Sequence, residues 1–350
     1  MSGNRNTGYV RPLDLRDGRV EMSHGSGGRA MAQLVRELFL AAFDNDILRQ
    51  MNDQAIFTLP PGRVVMTTDS YVVSPLFFPG GDIGCMSVHG TINDLAMSGA
   101  RPAYLAASFV LEEGFALAEL KRVVDSMARA ALLAGVPVVT GDTKVVERGK
   151  GDGVFITTTG VGVVADGIDI SGANARPGDS ILLSGTIGDH GIAVMSKRED
   201  LGFRTAIESD TAALHELVAA MVAAVPGIHA MRDPTRGGLG TTLNEIAAQS
   251  GVGMMIEEAS IPVAPQVEAA CEFLGFDPLY VANEGKLVAI CRQQDAGRLL
   301  AAMRAHPLGA AAAVIGEVRQ DRNGFVQMKT RLGGQRIVDW LTGEQLPRIC

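Results

Sequence analysis

Behind the run His24-Gly25-Ser26-Gly27-Gly28, apolar residues at Met31, Leu34, Val35, Leu38, Phe39 and Ala42 recur at helical spacing. The pattern predicts a glycine loop opening a helix, with Ser26 or a glycine at its start. Val64 to Thr68 reads as a buried strand ending at Asp69, after which Asp82 is placed to cap a small-residue helix running to about Ser98. Leu117 to Leu133 has the period of a long amphipathic helix closed by Gly135. Strands are predicted next at Val136 to Thr140, ending at Gly141-Asp142, and at Phe155 to Val164.

A turn-rich run from Gly172 to Asp179 precedes a fresh apolar strand at Ile181 to Ser184, and the domain boundary is placed there. Elements then alternate through Leu239 to Gln249, Pro265 to Leu274, Leu287 to Cys291 and Asp295 to Ala305, with Ala313 to Val318 as the final strand. Such alternation implies α/β layers. The expected organisation is a flexible polar extension over 1–20, a first domain over 21–170, a second over 171–332 and a mobile tail over 333–350. Extended at about 3.3 Å per residue, the segment 335–350 would reach on the order of 50 Å, enough to enter a pocket on its own domain.

At 350 residues with 47% hydrophobic and 20% charged content, the chain can bury two cores. A formal net charge of -8 without a basic stripe argues against nucleic acid as a partner. No apolar run approaches the roughly 20 residues that cross a bilayer, and no signal-peptide core follows the first arginines. The four cysteines form neither a C-x-x-C pair nor a zinc spacing, which fits a reducing cytoplasm. Cys85, Cys271 and Cys291 have apolar neighbours and read as inert core residues.

Candidate chemistry gathers at element ends. Asp53, Asp69, Asp94 and Asp142 lie beside apolar runs, where they serve either as caps and turn formers or as carboxylates for Mg²⁺ and nucleotide phosphates. Asn93-Asp94 is the sharpest member, since it interrupts the apolar stretch from Val88 to Met97. Gly27 and Gly28 could form a phosphate cradle or a simple connector, without the lysine of a P-loop. Lys144, after Asp142-Thr143, and Glu284 could exchange protons if they shared a pocket, or could be solvated loop charges. Cys350 is a thiol on the tail, with a pKa of about 8.5 if unperturbed; it stands too close to the end for prenylation.

These motifs resemble those of the HypE family of hydrogenase maturation proteins, within the larger group similar to aminoimidazole ribonucleotide synthetase. The resemblance runs from His24 to Cys350 through the glycine loop, Thr67-Thr68-Asp69-Ser70-Tyr71, Asn93-Asp94-Leu95-Ala96-Met97, Thr140-Gly141-Asp142-Thr143-Lys144, Gly188-Asp189-His190-Gly191, Asp233-Pro234-Thr235-Arg236-Gly237-Gly238 and Pro347-Arg348-Ile349-Cys350. It implies a two-domain α/β fold whose N-terminal sheet forms a homodimer, with ATP near that interface. It also implies nucleotide contacts from Gly27, Gly28, Asp69, Asn93, Asp94, Asp142 and Thr143, Mg²⁺ at Asp53, Asp69, Asp94 and Asp142, and a reaction centre of Lys144, Glu284 and Cys350. Asn52-Asp53 departs from the paired aspartates common in relatives, which weakens the metal role of Asp53.

In such proteins a HypF-like carbamoyltransferase loads the terminal cysteine, ATP drives dehydration of the carbamoyl group to a thiocyanate, and the cyanide passes to a HypC-HypD-like iron complex. A small-molecule ATP-dependent kinase or synthetase of the same superfamily, and a nucleotide-binding scaffold, remain as alternatives.

Overall fold

The computed structural model describes residues 12–200, 207–343, 346 and 348–350. The glycine loop opens α1 (Gly28–Leu34), which runs on through a π-helical stretch, Val35–Leu40, into α2 (Ala41–Phe43). The N-terminal half is built on a four-stranded sheet of β1 (Arg63–Tyr71), β4 (Arg101–Glu112), β5 (Val138–Val146) and β6 (Val154–Val164), in the order β1-β6-β4-β5. Only β4 and β5 run parallel. A two-stranded turn, β2 (Phe77–Phe78) with β3 (Gly81–Asp82), leads into α3 (Ile83–Met97). The Asp82 carboxylate accepts from the amides of Gly84 (2.7 Å) and Cys85 (3.1 Å), a cap that stabilises the helix by about 1 kcal/mol.

Because α3 is apolar on nearly every side, it is stable only when covered all round. It lies between the sheet, α4 (Leu117–Ala134) and the C-terminal half. The helix α4 buries Leu117, Leu120, Val123, Val124 and Met127 on one stripe and ends at Gly135, whose φ of +67° is the left-handed value that a helix-closing glycine adopts at low cost.

The C-terminal half centres on a seven-stranded sheet in the order β13-β12-β9-β11-β7-β10-β8. Its strands are β7 (Asp179–Leu183), β8 (Ala230–Arg232), β9 (Gly253–Glu257), β10 (Val288–Arg292), β11 (Ala313–Arg319), β12 (Val326–Lys329) and β13 (Gln335–Ile337). Helices α5 (Asp189–Arg198), α6 (His215–Ala224), α7 (Gly238–Ser250), α8 (Pro265–Leu274) and α9 (Gln293–Ala305) complete this half. The β7 strand is buried along its whole length, the pattern of a strand covered on both faces. The two-domain α/β architecture expected from the sequence is the one observed.

Five local expectations change. The strand read as buried over Val64 to Thr68 is an edge strand with one face uncovered, so Val64 and Met66 are exposed. The strand predicted to stop at Gly141-Asp142 continues to Val146, because its polar residues lie on an exposed face at a sheet edge, where they need no cap or turn. Ala313 to Val318 is not the final strand, since β12 and β13 follow it. The extension is ordered from residue 12: Val20 is buried, Arg19 bridges Ala116, and the amide of Leu13 donates to Glu37 at 2.7 Å. Residues 1–11 lie outside the described residues.

The tail, expected to be mobile, is docked. The amide of Val72 donates to the Cys350 carbonyl (3.3 Å), that of Ser74 to the Arg348 carbonyl (3.2 Å), and Ile349 is buried. Two of the bonds that dock it are thus main-chain bonds just beyond the end of β1, which no side-chain pattern announces.

Candidate active site

A cavity of about 440 Å³ opens where the end of β1, the helix α3 and the segment after β8 meet, and its lining includes Asp69, Asp94, Arg232, Asp233, Arg236, Glu284 and Cys350. Strand alternation decides which side chains reach it. Asp69 pairs in register with the buried Thr158 and shares its inward face, toward α3. Asp94 sits one turn beyond Gly90 on α3 and accepts from the Thr67 hydroxyl at 2.9 Å, tying helix to strand. Arg236 stands 3.9 Å from Asp69.

Five acidic side chains line the cavity; Glu245 is paired with Arg232 at 2.9 Å, and the other four repel one another. Burial, and then the neighbouring Asp94 carboxylate, push Asp233 up to about 7. Burial likewise raises Asp94, with Asp69 adding to the effect. Glu284, which is 3% exposed, is raised well above the ordinary carboxylate range by burial first and then by Asp233, Asp210, Asp69 and Asp94. Its Oε1 is buried and has no hydrogen-bond partner.

Such an arrangement suits a divalent cation, which would offset the like charges. Among the described residues no three His, Cys, Asp or Glu side chains converge into a ready-made metal cage. The donor set therefore fits Mg²⁺ that takes part of its shell from phosphate and water rather than a metal held by protein alone.

Cys350 reaches this cavity because the tail is pinned on both sides. His190 is fully buried; its Nδ1 lies 2.7 Å from the Ser209 hydroxyl and its Nε2 lies 2.8 Å from the Ile349 carbonyl. A carbonyl only accepts, so Nε2 carries the proton. Arg198 donates to the carbonyls of Ser74 and, at 2.8 Å, Arg348, while Arg348 pairs with Asp152. In this docked position burial, followed by the Glu284 carboxylate, raises the Cys350 thiol above its ordinary value. The few per cent of thiolate expected for a free tail is thereby reduced.

The remaining sequence candidates lie elsewhere. In register across the four-stranded sheet, Ser70, Thr157, Ser108 and Asp142 form one row, and Ser70 and Thr157 touch through their hydroxyls at 2.8 Å. Asp142 and Lys144 thus project from the exposed face, opposite to Asp69, and from the far edge strand, about 14 Å away at about 4.8 Å per strand. There the Lys144 ammonium donates to the Asp142 carboxylate at 2.6 Å. Thr143, on the other side of β5, is buried.

Gly27 and Gly28 join this second group. Both have left-handed φ (+78° and +82°) with open space where a Cβ would point, and the same loop packs so closely on β5 that a Cβ at Gly25 would lie 2.6 Å from the Val145 nitrogen. Asp53 is exposed in the irregular segment before β1 and lines neither group. Asn93 is buried with its amide spent on the main chain of the C-terminal half: Nδ2 donates to Ala212 (3.0 Å) and Glu284 (3.3 Å), and Oδ1 accepts from Leu214 (2.7 Å).

Asp233 and Arg236 enter the sequence reading only within a family motif, with no role assigned, and Arg232 is assigned none either. Two arginines bracketing an Asp-Pro, ahead of a Gly-Gly helix start with no side-chain cap, is the signal that could have found them.

Two family models cover most of the chain: the AIR synthase related protein N-terminal domain over residues 51–164 and its C-terminal domain over 176–329. A relative from Cupriavidus necator, a carbamoyl dehydratase HypE, is 71% identical over 351 residues, covering 100% of both chains. Among solved structures, a hydrogenase maturation protein HypE in complex with ATP is 52% identical with a TM-score of 0.91, covering 94% of this chain and 99% of its own. A HypE-HypF complex is similar at 49% identity and a TM-score of 0.78, covering 88% of this chain and 99% of its matched chain. No helix among the described residues is long and apolar enough to cross a membrane.

Proposed function

Because the chain belongs to the HypE family of carbamoyl dehydratases, we propose that it binds ATP and uses it to dehydrate a carbamoyl group carried on Cys350 to a thiocyanate, in hydrogenase maturation. The observation that carries the reading is the docking of Cys350 into the carboxylate-lined cavity beside the unpartnered Oε1 of Glu284.

The amide oxygen of the S-carbamoyl group attacks the γ-phosphorus of ATP and displaces ADP. The carbon–oxygen bond then breaks with phosphate as the leaving group and the C≡N bond forms, one nitrogen proton passing to Glu284 and the other leaving with the phosphate as hydrogen phosphate. Mg²⁺, when bound, offsets the charge on the transferring phosphoryl group. Asp69 and Asp94 would hold it from this chain, and Glu284 accepts a nitrogen proton. Its Oε1 makes no other hydrogen bond and so is the oxygen open to that proton.

Asp142, Thr143, Lys144 and the Gly27-Gly28 loop complete the centre from a second copy. The sheet's exposed face carries Val64 (62% exposed), Met66 (69%) and Val110 (36%), apolar surface that pairing of two sheets would cover. A two-fold axis along the strands sets the β5 edge of one subunit beside the β1 edge of the other. Lys144 of the partner subunit then serves as a charged donor to the phosphorylated oxygen, in keeping with its pairing to a carboxylate. Asp53, exposed beside that face, keeps only a peripheral place in the metal set.

A HypF-like carbamoyltransferase is the donor to Cys350, supported by the similarity to a HypE-HypF complex. A HypC-HypD-like iron complex is the acceptor, and the cytoplasm is the compartment. The test is the intact mass of the full-length protein after incubation with the carbamoyl donor system. A gain of about 43 Da on Cys350 without ATP, becoming about 25 Da with Mg-ATP, is expected for carbamoylation followed by loss of water. ATP turnover with no mass change on Cys350 would favour small-molecule phosphoryl transfer instead.

A further inference from the structure

Glu284 is held in an unusual way: the hydrogen bonds around it serve its main chain, while its Oε1 has none. Asp210, whose side chain is 5% exposed, accepts from the amide of Glu284 through Oδ1 (3.0 Å) and from the amide of Gly285 through Oδ2 (3.2 Å). Lys286 donates to the same Oδ2 at 2.9 Å from a side chain only 12% exposed. On the opposite side, the Glu284 carbonyl accepts from Asn93 (3.3 Å) and from the Ala212 amide (3.4 Å). The segment 210–214 and the strip 284–286 are thus cross-braced, and the fit is tight: a Cβ on Gly285 would lie 1.8 Å from the Asp210 carbonyl oxygen.

Burying one more carboxylate close to Glu284, Asp233, Asp69 and Asp94 is electrostatically unfavourable, and the Lys286 pair recovers only part of that cost. An apolar pair in this place would remove the buried charges but leave the amides of Glu284 and Gly285 without acceptors. What the Asp210 carboxylate adds is geometry, since two acceptor oxygens in one plane fix two consecutive amides and so set the direction in which the Glu284 side chain leaves the backbone.

We propose that Asp210 is a positioning residue for proton transfer: it fixes the main chain of Glu284 and Gly285 so that the free carboxyl of Glu284 faces Cys350 in the cavity. This inference rests on Glu284 being the proton acceptor. It assigns no contact between Asp210 and substrate, so Asp210 acts only through Glu284.

The experiment follows thiocyanate formation by intact mass in a single turnover of full-length, carbamoylated protein with Mg-ATP, alongside a direct ATP-binding titration. The variants are Asp210→Asn, Asp210→Asn/Lys286→Met, Glu284→Gln and Asp210→Asn/Glu284→Gln. The Asp210→Asn/Lys286→Met pair guards against misfolding, because it removes both buried charges together.

Expected is a fall in turnover of roughly 100-fold for both Asp210 variants, the scale of a displacement of about 1 Å at a reacting group. ATP affinity should stay at the wild-type value, and Asp210→Asn should have no further effect once Glu284 is Gln. Wild-type turnover in the Asp210 variants overturns the proposal. So does a loss additive to that of Glu284→Gln, or a parallel loss of ATP binding, either of which marks a merely structural residue. Should Glu284→Gln leave no rate to compare, the ATP-binding titration decides. Wild-type turnover in Glu284→Gln alone instead removes the assignment of Glu284 as base.

Discussion

His190 holds the carbonyl of Ile349 at 2.8 Å from a fully buried ring, and the residue it thereby fixes is the neighbour of Cys350. Replacing it by an apolar group, His190→Leu, leaves that carbonyl unpaired when the tail docks, while the Ser209 hydroxyl keeps the Thr211 amide as a partner. The cost is about 1–3 kcal/mol, which shifts docking by about tenfold or more. Alkylation of Cys350 by iodoacetamide should quicken accordingly while thiocyanate formation slows, with the buried Cys271 and Cys291 as unreactive references in the same mass spectrum. An unchanged alkylation rate would show that docking does not depend on this bond.

The proposed pairing of two sheets draws Lys144 and Cys350 of one centre from different subunits, so the two lesions should complement. Lys144→Ala and a chain ending at Ile349 are each expected to be inactive alone. Mixed and allowed to exchange subunits, they should recover about a quarter of wild-type turnover, since half of randomly formed dimers are mixed and each mixed dimer has one intact centre. No recovery on mixing, with exchange verified by mass, would refute a shared centre.

Asp94 binds Thr67 at 2.9 Å and also faces the cavity, so Asp94→Asn preserves the helix-to-strand bond while removing a charge. Turnover at fixed Mg-ATP should drop by about 100-fold and ATP should bind more weakly, while the thermal midpoint stays within a few degrees. Normal ATP affinity and turnover would take Asp94 out of the metal set.

The acidic cavity also makes a prediction about pH. Asp233 is pushed up to about 7 from 3.8, so the folded state holds a proton that the unfolded chain has already released. Folding stability from this group is complete below about pH 4 and is lost as pH rises through about 7, a swing of a few kcal/mol before allowance for its coupled neighbours. Asp233→Asn should therefore raise the thermal midpoint at pH 8 and leave it nearly unchanged at pH 4. Mg-ATP should stabilise wild type more at pH 8 than at pH 5. Equal shifts at both pH values would contradict the assignment.

How much of this was legible beforehand depended on whether the signal was local. Asp82 as a cap, Gly135 as a helix end and the apolar stripe of α4 are short-range features, and they stand where the sequence places them. Asp142 and Lys144 misled because Gly-Asp-Thr-Lys has turn chemistry, whereas an edge strand with one uncovered face tolerates the same residues. The docked tail rests on main-chain bonds to residues nearly 280 positions away, such as that from Val72, and no periodicity encodes those. Asn93 and Asp94 stood out as polar intruders in an apolar helix, but their division of labour, one toward a main chain and one toward the cavity, depends on tertiary placement.

That division sets a length scale. Adjacent Cα atoms lie about 3.8 Å apart whatever the domains do. The Asp94 carboxylate that faces the cavity and the Asn93 amide that grips Glu284 are therefore yoked by a single peptide link in α3, so a hinge motion that drew one out of reach would drag the other with it. Under the proposed roles, the spacing between the metal site and Glu284 is gauged by one covalent unit, and changes in how the two halves sit should switch both functions off together rather than leave ATP being consumed without product.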